Sequence, residues 1–339
     1  MSVIEGYNRL IGANSFSPDG KLLISGDSGG RIRVWDMVTR SYISTIEEIT
    51  GPIWTIAFSP DGKMFATAGD DRLVRLWDTA CLQCLKTYPG HTGPIWHLAF
   101  NPDGSILASG GSTHWIKLWD TNLDAGTTEL NSFETPDDLW SLAFDQAGKT
   151  LVSGHTQGSV VVRDVASGKT KATMQHGTVP VGAVRFSSGG KTLVTSSNQG
   201  LLKFWNVETG ECIRTTCVDV EGNRTKAVVI GKDGKFAATG GNGAIVYLWH
   251  LQSEGAPERL SIEGNTNRVW AMALSSDERF LASGDEEGTT LLIDVQTGQV
   301  VEKISIDRPY ERMNIRGVSG LNAAERAALK TLGAVESQT

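Results

Sequence analysis

Two cysteines, Cys81 and Cys84 in the stretch CLQC, have the spacing found in metal-binding and redox sites. Neither a second cysteine pair nor a histidine accompanies them at the spacing of a zinc site. Cys84 lies six residues after Asp78, and Cys212 lies six residues after Asn206, so both occupy one slot of a repeated segment. Four cysteines in 339 residues are also too few to indicate a disulfide framework. We therefore interpret Cys84 and Cys212 as residues of an outer strand and expect neither a metal nor a cofactor.

Other patterns with catalytic potential are incomplete. The stretch SSGGKT (187–192) resembles a phosphate-binding loop, but such a loop needs a glycine where Arg185 stands. The six histidines show neither H-x-x-x-H nor H-E-x-x-H spacing, and the Asp-Gly turns lack the further ligands of a calcium loop. We expect that the protein is not an enzyme. The alternative left open is an active site assembled from several repeated segments.

A repeat runs through most of the chain and must position any residues that act together. An aromatic residue followed by an acidic one, or a substitute for that pair, recurs every 42 to 44 residues. The first residue of the pair falls at Trp35, Trp77, Trp119, Arg163, Trp205, Trp249 and Ile293. Seven successive units of similar length predict seven copies of one structural unit.

Each unit contains four short segments rich in β-branched and aromatic residues. In the second unit they are 53–58, 64–69, 73–78 and 84–88. A Ser-Pro-Asp-Gly turn separates the first two segments; proline presets φ and glycine accepts a positive φ. A single four-stranded sheet with apolar residues on both sides cannot bury both faces alone. Stacking seven such sheets around an axis buries both faces and closes a ring.

The length of the unit, the turn and the terminal Trp-Asp of three units (35–36, 77–78 and 119–120) resemble the WD-repeat, or WD40, family. The resemblance covers about residues 7–305. It implies an all-β protein, a seven-bladed β-propeller of four-stranded antiparallel blades, to which the sequence adds a short C-terminal helical tail.

The boundaries of the propeller follow from the last repeat. We place the propeller at residues 1–306 and the tail at residues 307–339. Two segments, 2–6 and 300–306, compete for the outer strand of the last blade. We favour 300–306 because it is longer and contiguous with its blade.

The resemblance also implies a hydrogen-bonded group of His, Ser or Thr, Asp and Trp in each well-formed blade. The third unit has His91, Ser109 and Trp119, but Thr113 stands where the Asp belongs. In the fifth unit, His176 is one position away from the expected place. Since no unit carries the complete group, we expect stability to come mainly from burial between blades.

The tail departs from the repeat. Residues 322–332 predict a helix, in which Asn322 can cap the start and Gly333 suits the end. This helix either packs on the flank of the propeller or docks onto a partner. The tail resembles the end of bacterial WD-repeat proteins, including signalling NTPases with an NB-ARC-type module upstream. Because the first blade starts near residue 10, we expect either that any effector or NTPase is a separate chain or that the resemblance reflects only shared ancestry.

The composition of the chain limits the classes of partner that we expect. The net charge is −7 and there is no run of Lys or Arg, which argues against nucleic acid and against a membrane surface. The start, MSVIEGYNRL, lacks the features of a secretory signal, and no apolar run approaches the roughly 20 residues of a membrane helix. We expect a soluble cytoplasmic protein, monomeric on its own, whose partner is a protein or peptide.

Candidate contact residues follow from one slot of the inner strand, four residues before a recurring Phe. The slot holds Trp54, Trp96, Trp140 and Trp270, and Lys226 in the sixth unit. In WD-repeat relatives this slot lies near the mouth of the central channel, and Trp is a frequent interface anchor. The turns before the third strands add further candidates to the same face, namely Asp70, His114, Trp115, Asn198, Asn242 and Glu286. The alternative interpretation is that the Trp rings pack between blades as core.

Three classes of function remain. We favour a non-catalytic protein–protein interaction scaffold or recognition module, with the sensor part of a bacterial signalling system as its more specific form. The first alternative is an enzyme or small-ligand binder that uses the central channel. The second alternative is a structural subunit of a larger assembly.

Overall fold

The computed structural model describes residues 10–124, 126, 129–187, 189–218, 225–251, 257–304 and 322–331. These residues form seven four-stranded antiparallel sheets and one short helix. Blades 1 to 4 consist of β1–β4 (Ile11–Phe16, Leu22–Asp27, Ile32–Asp36, Ser41–Ile46), β5–β8 (Ile53–Phe58, Met64–Gly69, Val74–Asp78, Cys84–Tyr88), β9–β12 (Ile95–Phe100, Ile106–Gly111, Trp115–Asp120, Glu129–Glu134) and β13–β16 (Leu139–Phe144, Thr150–His155, Ser159–Asp164, Thr170–Gln175). Blades 5 to 7 consist of β17–β20 (Val181–Phe186, Thr192–Ser197, Leu201–Asn206, Cys212–Cys217), β21–β24 (Thr225–Ile230, Phe236–Gly241, Val246–His250, Glu258–Ile262) and β25–β28 (Val269–Leu274, Phe280–Asp285, Thr290–Asp294, Val300–Ile304).

The inner strands arrange the blades in a ring. Each inner strand packs beside the inner strand of the next blade, and β1 packs beside β25. The predicted all-β, seven-bladed propeller is therefore confirmed. We call the end of the ring where the inner strands begin the upper face; it also carries the turns between second and third strands. The opposite end, the lower face, carries the turns between first and second strands.

Turn chemistry explains why the first two strands of a blade pair. In blade 2, the Ser59 hydroxyl accepts a hydrogen bond from the Met64 N–H at 3.0 Å, and the Asp61 carboxylate accepts one from the Lys63 N–H at 3.1 Å. Gly62 has a φ of +71°, which a residue without Cβ adopts without strain. The Ser-Pro-Asp-Gly sequence thus closes a tight turn on the lower face, as predicted.

The last blade closes the ring with contiguous chain. Strand β28 pairs with β27 and completes the four-stranded sheet of blade 7. The favoured segment 300–306 therefore supplies this strand, at Val300–Ile304, while the competing segment 2–6 lies outside the described residues. Across the seam, the Ser276 hydroxyl of blade 7 donates to the Pro18 carbonyl of blade 1 at 2.5 Å.

The apolar core lies between successive blades. Between blades 1 and 2, the side chains of Ile24, Ile32, Ile53 and Trp77 are almost completely excluded from solvent and form one cluster. Burial of each side chain of this size stabilises the fold by roughly 1.5–3 kcal/mol. Equivalent clusters between the other blades explain why the strands are apolar on both sides.

The hydrogen-bonded group of WD repeats forms more completely than the residue types indicate. In blade 3, the Trp119 indole N–H donates to the Ser109 hydroxyl at 2.7 Å, and that hydroxyl lies 2.7 Å from His91 Nε2. His91 Nδ1 lies 3.3 Å from the Thr113 hydroxyl, so threonine takes the place of the missing carboxylate. This series of hydrogen bonds is consistent with a neutral His91 that donates from Nδ1, because the Ser109 hydroxyl can donate to Nε2.

The displaced histidine of blade 5 also reaches its partner. His176 lies one position from its expected place, but its Nδ1 is 2.7 Å from the Thr195 hydroxyl. The Trp205 indole donates to the same hydroxyl at 2.8 Å. The use of Nδ1 instead of Nε2 therefore compensates for the shift of one residue.

The tail contains the expected helix, α1, at Ala323–Thr331 within the predicted range 322–332. Asn322 caps it: the Asn322 side-chain oxygen accepts from the Glu325 N–H at 2.9 Å, and the Glu325 carboxylate accepts from the Asn322 N–H at 2.8 Å. These two reciprocal bonds form a capping box, which satisfies donors that the helix itself leaves unpaired. The side chains of Ala323, Ala324 and Ala327 are exposed.

Candidate protein-interaction face

The inner-strand slot of all seven blades converges on the upper mouth of the channel. A cavity of about 220 Å³ lies there, at the axis of the ring. Its lining includes the slot residue of every blade: Gly12, Trp54, Trp96, Trp140, Gly182, Lys226 and Trp270. The repeat therefore places four indole rings around one opening, with small residues in blades 1 and 5.

The tryptophans of blades 3 and 4 are packed against each other, and all three tryptophans of blades 2 to 4 reach solvent. The ring centroids of Trp96 and Trp140 are 5.2 Å apart, with an angle of 56° between the ring planes. Trp140 is 38 % exposed, whereas Trp54 and Trp96 are half-buried. The indole N–H of Trp54 donates to the Asp70 carboxylate at 2.5 Å, which fixes the orientation of this ring. The rings thus form a supported aromatic surface and not a fully buried core.

A cation of the chain itself covers the fourth indole. Lys226 Nζ lies 5.0 Å from the centroid of the Trp270 ring, within the range of a cation–π contact. Lys226 is exposed, and the Trp270 indole N–H is buried without a hydrogen-bond partner among the described residues. Blades 6 and 7 therefore contribute to the mouth an indole ring with a cation over it.

Two further candidates lie at the start of β11. His114 has a φ of +55°, in the left-handed region that residues with a Cβ adopt at a cost. Its Nε2 lies 3.2 Å from the Asp138 carboxylate of the next blade. The neighbouring Trp115 is 42 % exposed.

The remaining candidates are spread around the upper face in the turns before third strands. Asn242 is exposed, and Asn198 is half-buried with a side-chain oxygen that lacks a partner among the described residues. The Glu286 carboxylate lies 3.8 Å from the Arg268 guanidinium, in the loop that precedes β25. These side chains share a face with the Trp mouth but do not line its cavity.

Two channel residues escaped the sequence reasoning. Asn14 lines the cavity and is 9 % exposed, and neither atom of its amide has a hydrogen-bond partner among the described residues. The equivalent slot of blades 2 and 3 holds Ile56 and Leu98, so a polar residue there departs from the repeat. His97 also lines the cavity, and burial lowers its pKa to about 4, so its imidazole is neutral at pH 7. A comparison of sibling units, slot by slot, would have identified Asn14.

The residues with metal or phosphate chemistry take structural places. Cys84 pairs with Trp77, and Cys212 pairs with Trp205, which confirms that these two cysteines occupy one slot of the outer strand. All four cysteines are exposed and free. Within the described ranges, no group of three His, Cys, Asp or Glu side chains is arranged to hold a metal ion.

The phosphate-loop lookalike belongs to a turn. Its described residues 187 and 189–191 lie between β17 and β18 on the lower face, and Thr192 begins β18; Gly190 has a φ of +66°. The Gly190 N–H donates to the Ser187 carbonyl at 2.8 Å, as in the other turns of this class. In the part of the chain that the structure describes, no helix has the length and apolarity to span a membrane.

The comparison with known families agrees with this architecture. The family whose description reads IFT122 first beta-propeller matches residues 11–294, from the first residue of β1 to the last residue of β27. No curated protein matches the chain. A WD40-type propeller of this kind suggests a scaffold for protein–protein interaction. From its seven blades and this match, we conclude that the chain belongs to the IFT122 first beta-propeller family.

Proposed function

We propose that this protein is a non-catalytic recognition module that binds a protein or peptide at the upper mouth of its channel. The observation that carries the proposal is the aromatic rim, in which Trp96 and Trp140 pack together while Trp140 stays 38 % exposed. Preformed tryptophan surfaces are typical of the residues that dominate binding energy, because they bury a large area with little loss of side-chain freedom.

The size and polarity of the cavity favour an inserted side chain over a substrate. About 220 Å³ is below the roughly 300–1,000 Å³ of typical small-molecule sites. At its wall, the amide of Asn14 offers a donor and an acceptor that the described residues leave unused. A side chain of the partner that enters the mouth would satisfy this amide and place its backbone across Trp96 and Trp140.

We further propose a cellular setting for this module. It is the sensor part of a bacterial signalling system, works in the cytoplasm as a monomer, and meets its effector or NTPase as a separate chain. The support is the similarity of residues 307–339 to the ends of bacterial WD-repeat proteins, some of which carry an NB-ARC-type module. The acidic net charge of −7 supports a protein partner over nucleic acid or a membrane surface.

Affinity capture with matched variants tests the binding face. Full-length tagged protein serves as bait in an extract of its native cell, and captured proteins are identified by mass spectrometry. We expect Trp140→Ala to lower recovery of the specific partner at least tenfold, since truncation of a central interface tryptophan costs about 2 kcal/mol or more. Tyr42→Ala is the control, because Tyr42 is 53 % exposed on the outer strand β4, away from the mouth.

The same variants separate the alternatives. Circular dichroism and thermal melting of both variants establish that they are folded. Capture that survives Trp140→Ala but is lost in Tyr42→Ala contradicts the proposal and indicates a structural subunit that contacts its assembly through the outer strands. Capture that neither variant changes also contradicts the proposal, because the upper mouth then makes no contact with the partner.

A further inference from the structure

A second, larger cavity lies at the lower end of the channel. Its volume is about 520 Å³, within the range of small-molecule sites. Its lining includes Phe100, Phe144 and Phe186 from blades 3, 4 and 5, two cations, Arg185 and Lys232, from blades 5 and 6, and one carboxylate, Asp145, from blade 4. The cavity therefore combines flat apolar walls with a positively charged side.

Arg185 departs from the repeat. It stands in the inner-strand slot just before the last residue of β17, and the six sibling blades hold small or β-branched residues in that slot: Ser15, Ala57, Ala99, Ala143, Val229 and Ala273. The sibling blades show that the propeller itself requires only a small side chain there. An arginine in a ring of small residues is thus not required by the architecture.

Among the described residues, neither cation of this cavity forms a direct ion pair. Arg185 Nη1 donates to the Ile230 carbonyl at 2.8 Å, and Lys232 Nζ donates to the Ser276 carbonyl at 2.5 Å. The salt bridges formed by the described residues include neither cation. Burial lowers the pKa of the Arg185 guanidinium, which means that its charged form is poorly solvated.

The nearby carboxylates are engaged elsewhere. The Asp145 carboxylate accepts hydrogen bonds from the Lys149 and Thr150 N–H groups at 2.8 and 3.0 Å. The Glu278 carboxylate accepts one from the backbone N–H of Lys232 and raises the pKa of Arg185 only through space. The planar guanidinium of Arg185 keeps donors for a carboxylate, the group its geometry matches best.

We propose that the lower cavity binds a small organic anion, a carboxylate with a flat apolar body. The carboxylate pairs with Arg185, with Lys232 at the edge of the site, and the body lies against Phe100 and Phe144. This site lies at the opposite end of the channel from the upper mouth and does not depend on the proposed function.

Benzoate is the probe that tests the site. We expect wild-type, full-length protein to bind benzoate 1:1 in calorimetric titration, with a Kd of about 1 mM for so small a ligand. Benzyl alcohol, which has the same ring without the charge, is expected to bind at least tenfold more weakly. Absence of benzoate binding to the wild type would overturn the proposal, as would equal binding of benzyl alcohol.

Arg185→Ala is the decisive variant, because four sibling blades carry alanine in this slot and the fold accepts it. We expect benzoate to bind at least tenfold more weakly to this variant. Lys226→Ala, at the upper mouth, removes a cation outside the lower cavity and is expected to leave benzoate binding unchanged. Equal affinity of the wild type and Arg185→Ala would overturn the proposal.

The thermal stability of the same variant distinguishes a ligand-binding arginine from a brace between blades 5 and 6. Removal of a poorly paired, half-buried charge is expected to leave the midpoint of unfolding unchanged or higher. A large drop in this midpoint together with unchanged benzoate affinity would assign Arg185 to bracing and overturn the proposal.

Discussion

At the scale of single residues, the third-strand tryptophan shows how one repeated contact varies between blades. The indoles of Trp77, Trp119, Trp205 and Trp249 donate to a Ser or Thr of the neighbouring strand at 2.7–2.9 Å. The indole N–H of Trp35 in blade 1 is buried and has no such partner among the described residues. The same residue type therefore has a different energetic role in different blades.

This difference predicts unequal effects of one substitution. Trp119→Phe removes a buried hydrogen bond and leaves the Ser109 hydroxyl with one partner fewer, so we expect a loss of about 2–4 kcal/mol in unfolding free energy. Trp35→Phe removes a donor that was already unpaired, and we expect a loss of about 1 kcal/mol or less. Urea unfolding of the two variants measures both values. Equal losses would show that burial alone determines the role of this residue.

Buried histidines predict a dependence of stability on pH. Burial lowers the pKa of His91 and of His176 to about 4, whereas an unfolded histidine has a pKa near 6.5. Between these values the unfolded chain takes up protons that the folded protein does not. The contribution of each histidine to the unfolding free energy is therefore fully present above about pH 7. It is lost as the pH falls through this window, by roughly 2 kcal/mol per histidine at pH 4.5.

His176→Asn isolates one of these contributions. Blade 7 already carries an asparagine in this role, since the Asn265 amide donates to the Ser283 hydroxyl at 3.2 Å. We expect the loss of unfolding free energy between pH 7.5 and 4.5 to be roughly 2 kcal/mol smaller in the variant than in the wild type. His250→Asn, at an exposed position, is the matched control for the substitution itself. An unaltered pH profile in His176→Asn would contradict the assignment.

At the scale of strands and turns, the repeat determines most of what the sequence could predict. In blade 2, the predicted segments 53–58, 64–69 and 84–88 are the observed strands. The third strand begins one residue late, at Val74, because the Asp71 carboxylate accepts the Leu73 N–H and Arg72 has a φ of +66°. A side chain that caps a turn competes with strand pairing, and alternation of apolar residues does not reveal such a bond.

The lower-face turn of blade 7 predicts the order of stability of the wild type and two variants of Glu278. Glu278 has a φ of +59° in the slot where the other six blades have a glycine. Its carboxylate accepts the Lys232 N–H of blade 6, beside Gly231, where most other blades have a Ser or Asn that caps the turn. The strain at Glu278 is therefore offset by a contact between blades.

We expect Glu278→Gly to be destabilised by about 1 kcal/mol, since relief of the positive φ partly offsets the lost charge-assisted bond. Glu278→Ala loses the same bond but keeps the strained φ, so we expect it to be about 1 kcal/mol less stable than Glu278→Gly. Chemical unfolding of the three proteins measures the order. A Glu278→Gly variant that is more stable than the wild type would show that the contact between blades contributes little.

At the scale of the whole molecule, the number of repeat units predicts the seven-bladed ring. The residues that deviate from the repeat indicate where the ring could bind other molecules. Seven copies of one pattern indicate seven blades, because every copy must bury both faces of its sheet. The pattern cannot identify which channel residues remain unsatisfied, since that depends on neighbours in other blades. Asn14 and Arg185 both depart from the repeat in sequence, but the cavities that they line are formed only by the assembled ring.

Closure of the ring gives a prediction at this scale. Ile304 is the last residue of β28, is buried, and packs in one cluster with Phe16 and Leu23 of blade 1. We expect Ile304→Ala to lower the unfolding free energy by about 2–4 kcal/mol. Deletion of residues 1–9 should have a much smaller effect, because blade 7 has four strands without them. Thermal or urea unfolding compares the two; an equal loss would indicate that residues 1–9 also contribute to closure.

Because every blade is built from one uninterrupted stretch of chain, the ring has no privileged first blade. Both Ile11 and Ile304 lie at the upper face, where short loops already join each outer strand to the next inner strand. A circular permutant that joins these ends by such a loop, and opens the chain between β12 and β13, retains every strand pairing. The fold therefore requires a fixed order of blades around the axis, but it does not require that any one blade come first in the chain.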